Sequence, residues 1–336
     1  MPQNKKTLFL LGCVSLLIIL ALIAICAGAY SITPLDVFYT IYSAILGNPT
    51  GNSINDLVVL NIRLPRILLT IAIGAGLAVA GCVYQGVFRN PLVDPYLLGV
   101  SSGAAFGAGI AIVLGFFLFS LQITALLFSL VAVFIVYSFA SKSGKTSLLN
   151  LILMGIVING LFSAGIAFLK TIAYSEQLRD LTFWLMGGLY VADWNDVITI
   201  VPLITILMVI IWACGWRLNL IAMGDEEAQT LGVNVQNIRG FLIFVATVIA
   251  SLTVATVGVI AWVGLIIPHI ARMTVGTDHR ILIPASALIG GIFLLICDTL
   301  ARTLTAGEIP ISILTSVIAA PYIIYLVRKN KAIFVG

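Results

Sequence analysis

ILLTIAIGAGLAVAGCVYQGVF, residues 67–88, contains no charged side chain and is bounded by Arg66 and Arg89. A helix needs about 20 apolar residues to cross a hydrocarbon core of roughly 30 Å, and this run supplies them. Its apolar residues are continuous, whereas a strand of a membrane barrel alternates apolar with polar. The stretch therefore reads as a transmembrane helix between two aqueous interfaces. Other uncharged stretches repeat the pattern at residues 7–35, 95–141, 146–169, 197–216, 240–271, 281–297 and 309–327. Hydrophobic residues make up 61% of the 336 and charged residues 9%, against about 25% charged in soluble domains. A soluble fold could not cover so much apolar surface. Disorder needs the opposite composition. A net charge of +4 is no phosphate-binding surface, so nucleic acid is excluded as a partner.

The 95–141 window is long enough for two spans, broken near residues 115–122. The 240–271 window is one long helix or two short ones, with Gly258 as the break, so the total is nine or ten. Charge decides between them. Lys5 and Lys6 precede the first span, and Arg328, Lys329 and Lys331 follow the last. Basic residues stay on the cytoplasmic side, so both termini lie inside and the number is even. With ten spans, Arg89, Lys142, Lys145, Arg217, Arg239, Arg272 and Arg280 fall inside, and Arg63, Arg66, Lys170, Arg179 and Arg302 fall outside. The expected fold is an all-α integral membrane protein, one polytopic domain over residues 1–336 with ten transmembrane helices. Asn61-Ile62-Arg63 leading to Gly81 and Pro91 resembles Asn237-Ile238-Arg239 leading to Gly258 and Pro268. One copy starts outside and the other inside, which suggests an inverted five-plus-five repeat. Gly99, Gly103 and Gly107 recur on one helix face, at the spacing that lets backbones approach.

Several motifs carry no chemistry. The first apolar run is too long for a signal-peptide core and lacks a small-x-small cleavage pattern. The five cysteines fall in or beside apolar runs at irregular spacing and suggest packing, not a disulfide framework or metal site. Gly99-Val100-Ser101-Ser102-Gly103 matches a hydrolase nucleophile elbow but opens an apolar helix. An intramembrane serine protease is thus the weakest alternative. Gly144-Lys145-Thr146 ends like a P-loop, yet Phe139 stands where its first glycine belongs, so no ATP site forms by that route. His269 is expected to be a structural residue. Asp298, one turn before Arg302, reads as an interface ion pair and not a proton site. With no other acid deep in a span, a proton-coupled carrier would lack its parts, so transport energy should come from another subunit; a secondary carrier or channel is the alternative.

The polar stretch Met223-Gly224-Asp225-Glu226-Glu227-Ala228-Gln229-Thr230-Leu231-Gly232 lies between two spans on the inside. Its acids complement the start of a short helix, and Gly232 can end that helix in the left-handed conformation. Glu226-Glu227-Ala228-x-x-x-Gly232 resembles the E-A-A-x-x-x-G coupling motif of ABC importer permeases. Further blocks are similar to the FecCD permeases, which import vitamin B12, iron-siderophores and haem. They are Arg63-Leu64-Pro65-Arg66, Asn90-Pro91-Leu92-Val93-Asp94-Pro95 with Leu98-Gly99-Val100-Ser101, and Trp184-Leu185-Met186-Gly187-Gly188. Later ones are Gly264 to His269, Asp278-His279-Arg280, Asp298 to Arg302 and Glu308-Ile309-Pro310.

The resemblance implies a non-catalytic permease subunit in a bacterial or archaeal cytoplasmic membrane, paired as a homodimer in lipid. Two ATPase subunits would bind ATP and magnesium, and an extracytoplasmic binding protein would deliver the cargo. No cofactor or metal is expected in this chain. The cargo would be an iron-siderophore, haem or cobalamin, or a molybdate or tungstate oxyanion. By the same resemblance Gly224, Glu226, Glu227, Ala228, Leu231 and Gly232, within coupling helices over about 219–238, meet the ATPase. Arg63, Arg66 and Arg302 dock the binding protein. Asn90 and Leu92, with Thr146 and Ser147, form an inner gate.

Overall fold

The computed structural model of the chain describes residues 3–28, 30–47, 53–115, 120–142, 145–305 and 307–329. The elements are α1 (Gln3–Cys26), α2 (Pro34–Ile45), α3 (Ser53–Asp56), a π-helical turn (Leu57–Arg63) running into α4 (Leu64–Phe88), and a 3₁₀ turn (Pro95–Leu98). They continue with α5 (Val100–Leu114), α6 (Leu121–Ala140), α7 (Leu148–Ile172), α8 (Ser175–Leu185), α9 (Trp194–Ala213), α10 (Gly215–Met223) and α11 (Asp225–Thr230). The last are α12 (Val235–Val257), α13 (Val263–Val275), α14 (His279–Ala301) and α15 (Ile311–Lys329). A two-residue antiparallel ladder pairs Ser141 with Thr146 and Lys142 with Lys145.

Among the described residues, seven helices are long and apolar enough to cross a membrane, and three shorter apolar helices cover 100–114, 263–275 and 311–325. The two expected breaks are present. α5 stops at Gly115 in a left-handed conformation, and Ser120 caps α6 by accepting from the Ile123 N–H. Residues 116–119 of the first break, and Lys331 among the terminal basic residues, lie outside the described residues. The 240–271 window divides at Gly258, which caps α12 at φ +73°.

The spans are not equivalent. The best window of the helix through residues 54–88 is 89% buried, but only 17% of those in α1 and α9 is. α4 is therefore the central post, and α1 and α9 turn Leu8, Leu11, Ile18, Leu22, Ile198 and Ile206 outward, a surface suited to lipid tails. Close backbone approach sets the packing around α4. A Cβ on Gly81 would lie 1.9 Å from the Gly264 carbonyl oxygen, and one on Gly74 would lie 2.4 Å from that of Gly290. The Gly103 and Gly107 positions likewise rest on the α6 backbone at Phe128 and Thr124, as the small-residue spacing implies. The two glycines that the repeat aligns do different work. Gly81 is buried inside α4, whereas Gly258 terminates α12.

Helix α8, and α2 beyond its first two residues, lie outside the uncharged windows. Each is short and carries acid, so a search for spans passes over them. Thr33 caps α2 by accepting from the Asp36 N–H, with Pro34 in the first turn, a start signal legible in Thr33-Pro34-Leu35-Asp36.

Candidate functional site

α4 has 25 residues, about 37 Å at 1.5 Å per residue, and its two ends carry the expected site residues. At the Arg66 end, called outer here from the charge bias, all three expected docking arginines are buried: Arg63 is 4% exposed, Arg66 6% and Arg302 9%. Their guanidiniums are already engaged inside the chain. Arg63 donates to the carbonyls of Ile25 (2.6 Å), Cys26 (3.0 Å) and Tyr30. Arg302 donates to Ala27 (2.6 Å) and Ala24. Together they satisfy the carbonyls that α1 leaves unpaired at its C-terminus.

Arg66 makes the ion pair that holds this end. Its Nε and Nη2 lie 2.9 and 2.8 Å from Asp298 Oδ1, and Nη1 and Nη2 reach both Glu308 oxygens at 2.8 and 2.9 Å. The expected Asp298–Arg302 pair is present but looser, 3.5 Å from Nε to Oδ2 and without hydrogen-bond geometry. The reason is geometric: the Arg302 Nη1 and Nη2 are turned to the Ala27 and Ala24 carbonyls, whereas Arg66 reaches Asp298 Oδ1 with both Nε and Nη2 from a neighbouring helix. A cleft of about 640 Å³ opens beside this network, lined by Arg66, Gln122, Arg179, Trp184, Tyr190 and Glu308 among others.

At the other end α4 stops at Arg89, held left-handed at φ +53°, a conformation costing an ordinary residue roughly 1–2 kcal/mol. The chain then makes a sequence of fixed turns. Asn90 Oδ1 accepts from Leu92 N–H (2.9 Å), Asp94 Oδ1 accepts from Tyr96 N–H (2.8 Å), and the 3₁₀ turn follows. Asn159 of α7 donates to the Leu97 carbonyl at 3.2 Å, so this segment is wedged between α4 and α7. Asn90 and Leu92 are exposed, the latter by 50%. Ser147 is exposed at the start of α7, and among the described residues no hydrogen bond joins it to Asn90 or Leu92. Thr146 lies on the short ladder, and its side chain is outside the described residues.

The polar stretch 223–232 forms the expected short helix. Asp225, Glu226 and Glu227 fill the first turn of α11, and Glu227 folds back so far that a Cβ on Gly224 would meet its Oε2 at 1.9 Å. At the far end Gly232 adopts φ +80°. Val233 N–H donates to the Ala228 carbonyl (3.0 Å) and Gly232 N–H to that of Gln229 (2.9 Å), the paired bonds of a Schellman cap. Ala228 is fully buried against Leu220 and Val235, while Glu226, Glu227 and Leu231 face outward, Leu231 by 60%. One side of the helix is thus fastened to the protein, and an acidic, partly apolar side is free.

Neighbouring contacts add parts that spacing alone could not reveal. Asp225 Oδ1 accepts from Arg89 at 2.9 Å and from Arg239 at 2.6 Å. Asn219 of α10 donates to Asp278 Oδ1 (2.8 Å) and accepts from the His279 backbone N–H (2.8 Å), tying α10 to α14. Hydrogen bonds from Arg280 hold the Asp278 carboxyl well below the usual carboxylate range. His279 Nδ1 meets Asn219 Oδ1 at 2.7 Å, and no group of three metal-ligating side chains exists among the described residues.

The family model described as the FecCD transport family matches residues 16–329. The molybdate import system permease protein MolB of Haemophilus influenzae is 40% identical over 98% of both chains. The cobalamin import system permease protein BtuC of Halobacterium salinarum is 42% identical over 82% of this chain and 74% of its own. The hemin transport system permease protein HmuU of Yersinia pestis is 40% identical over 94% of each. A solved structure described as an inward-facing conformation of a metal-chelate type ABC transporter superposes with a TM-score of 0.86 at 40% identity, covering 96% of this chain and 99% of that one.

Proposed function

The chain belongs to the FecCD transport family, and from that premise we propose the complete machine in which it works. The protein is a multi-pass membrane permease of an ABC importer, a transport subunit. Its three short apolar helices join the seven long ones as membrane crossings, ten in all, with both termini in the cytoplasm of a bacterium or archaeon. The inverted five-plus-five arrangement is part of this reading. In its support, α5 and α13 each begin immediately after a residue with positive φ, Gly99 and Trp262.

Two copies enclose the pathway, and two separate ATPase subunits bind ATP and magnesium. The observation that carries this reading is α11: a short helix with acids in its first turn and a Schellman cap at its end, anchored through Ala228 and free along Glu226, Glu227 and Leu231. A rigid free face of that size fits a groove on a moving partner. The cargo is a metal chelate or metal oxyanion delivered by an external binding protein. Relatives named for molybdate, cobalamin and hemin stand at nearly equal identity, which supports the class and no single member. Asn90, Leu92, Thr146 and Ser147 contribute to the inner gate.

The binding protein docks on the outer face that Arg63, Arg66 and Arg302 hold together. Their charges are satisfied within the chain, so their part is to fix α1 and the Glu308 loop in the docking shape.

The test is the double variant Glu226→Arg with Gly232→Pro, co-expressed with the ATPase and binding protein. Proline cannot adopt the positive φ of position 232 and has no N–H for Gln229. Uptake of molybdate, cobalamin and haem, measured side by side, should fall about a hundredfold for whichever the unaltered complex carries, a loss of about 2.7 kcal/mol in coupling. Membrane insertion should persist. Transport without any ATPase would replace this reading with a secondary carrier.

A further inference from the structure

We propose that Asp225 and Arg89 form the link by which the coupling helix moves the inner gate, with Arg239 as its anchor; this rests on the importer reading above. One carboxylate oxygen joins three elements. Asp225 is the first residue of α11, Arg89 ends α4, and Arg239 lies near the start of α12. The two cations differ in a way that assigns their parts. Arg239 is 1% exposed, so its buried guanidinium fastens the Asp225 carboxylate to α12 and the two move together. The Arg89 side chain is 38% exposed and free to travel with its own backbone.

That backbone is the start of the gate segment. Arg89 directly precedes Asn90, and the turns that follow leave little slack. Asn90 N–H donates to the Gln85 carbonyl at 3.2 Å, Val93 N–H to the Asn90 carbonyl at 3.3 Å, and Leu92 N–H to Asn90 Oδ1. A displacement of Asp225 therefore reaches Leu92 through one ion pair and a stiff run of backbone. The apolar underside of α11 offers no such route, because Ala228 packs on α10 and α12. Toward α4, the Asp225–Arg89 pair is the polar tie among the described residues. It also stabilises the left-handed turn at Arg89, which has no glycine to favour it.

The experiment reads gate position instead of stability. Leu92→Cys is placed in the full chain, assembled with its ATPase subunit in lipid vesicles. Its labelling by a water-soluble maleimide is timed with and without a non-hydrolysable ATP analogue and magnesium. Four native cysteines are buried and Cys26 is half-buried, so labelling reports position 92. With Arg89 intact, nucleotide should change the labelling rate. Arg89→Gln should shrink that change about fivefold, and Arg89→Lys should retain most of it, while ATP hydrolysis stays within about twofold in both. A nucleotide response of equal size in Arg89→Gln and the parent overturns the link but leaves the importer reading standing. No nucleotide response in the parent itself overturns the importer reading, and the link with it.

Discussion

The two ends of α4 each hold arginines around an aspartate, yet they are built for opposite purposes. At the outer end Asp298 is fully buried, Arg66 and Arg302 are nearly so, and Arg63 and Arg302 pin the last turn of α1. At the inner end Asp225 and Arg89 are each more than one-third exposed, and only Arg239 is buried. Burial strengthens a charge pair but makes its disruption costly, whereas an exposed pair is weak and can follow a moving partner. The outer end is a clamp that holds helices in register. The inner end is a joint.

The largest effect should come from breaking the clamp. Asp298→Ala removes the acid between Arg66 and Arg302, leaving Arg302 as a buried cation with carbonyl partners alone. It should lower the stability of the detergent-solubilised permease by about 3–5 kcal/mol, the cost of orphaning one member of a buried pair. Thermal unfolding followed by helical circular dichroism measures it, and a loss below about 1 kcal/mol would make this network no stronger than a surface one.

A smaller and local effect is expected at the joint. Gly232→Ala forces a Cβ into the left-handed conformation, costing about 1 kcal/mol, with no neighbour within 4 Å to clash. Hydrogen exchange at the amides of residues 228–233 should speed up about fivefold, while the global melting temperature stays unchanged. Were the whole protein to melt earlier, α11 would belong to the rigid body and the contrast between the ends would fail.

The smallest effect tests the clamp's rim. Glu308 pairs bidentately with Arg66 but its side chain is 42% exposed, so solvent screens the pair. Glu308→Gln should cost under about 1 kcal/mol, less than a third of the Asp298 effect. Equal costs for the two substitutions would show that the rim secures this end as much as the buried aspartate does and would remove the distinction between them.

Much of this is legible in the sequence. The uncharged window at 67–88, the breaks near Gly115 and Gly258 and the short helix ending at Gly232 are all local properties. Each depends on apolar run length or on the backbone freedom of one residue. The surroundings of Arg63, Arg66 and Arg302 were the least legible part. Charge bias located Arg63, Arg66 and Arg302 beside helix ends, but nothing in their spacing states that α1 would bring its open carbonyls to two of them. Asp298 shows the same limit: its expected partner was four residues away, and its tighter partner, Arg66, is 232 residues away in the chain. The Asp225 clasp escaped notice because Arg89 and Arg239 look like ordinary inside-facing basic residues when read one loop at a time.

Short windows of sequence, then, were enough to show that this chain crosses a membrane repeatedly and that one loop carries a short helix ended by Gly232. Desolvation and backbone geometry act residue by residue, so those outcomes are written in short windows. Only the tertiary structure decided that α4 is the buried post, that the outer arginines are internal clamps, and that one aspartate joins α4, α11 and α12. An apolar helix facing lipid and one facing other helices have nearly the same composition, since lipid tails are as apolar as leucine. Which helix goes to the centre, and which charges meet there, is settled by close backbone approach at glycines such as Gly81 and Gly264 and by long-range pairing that no local spacing records.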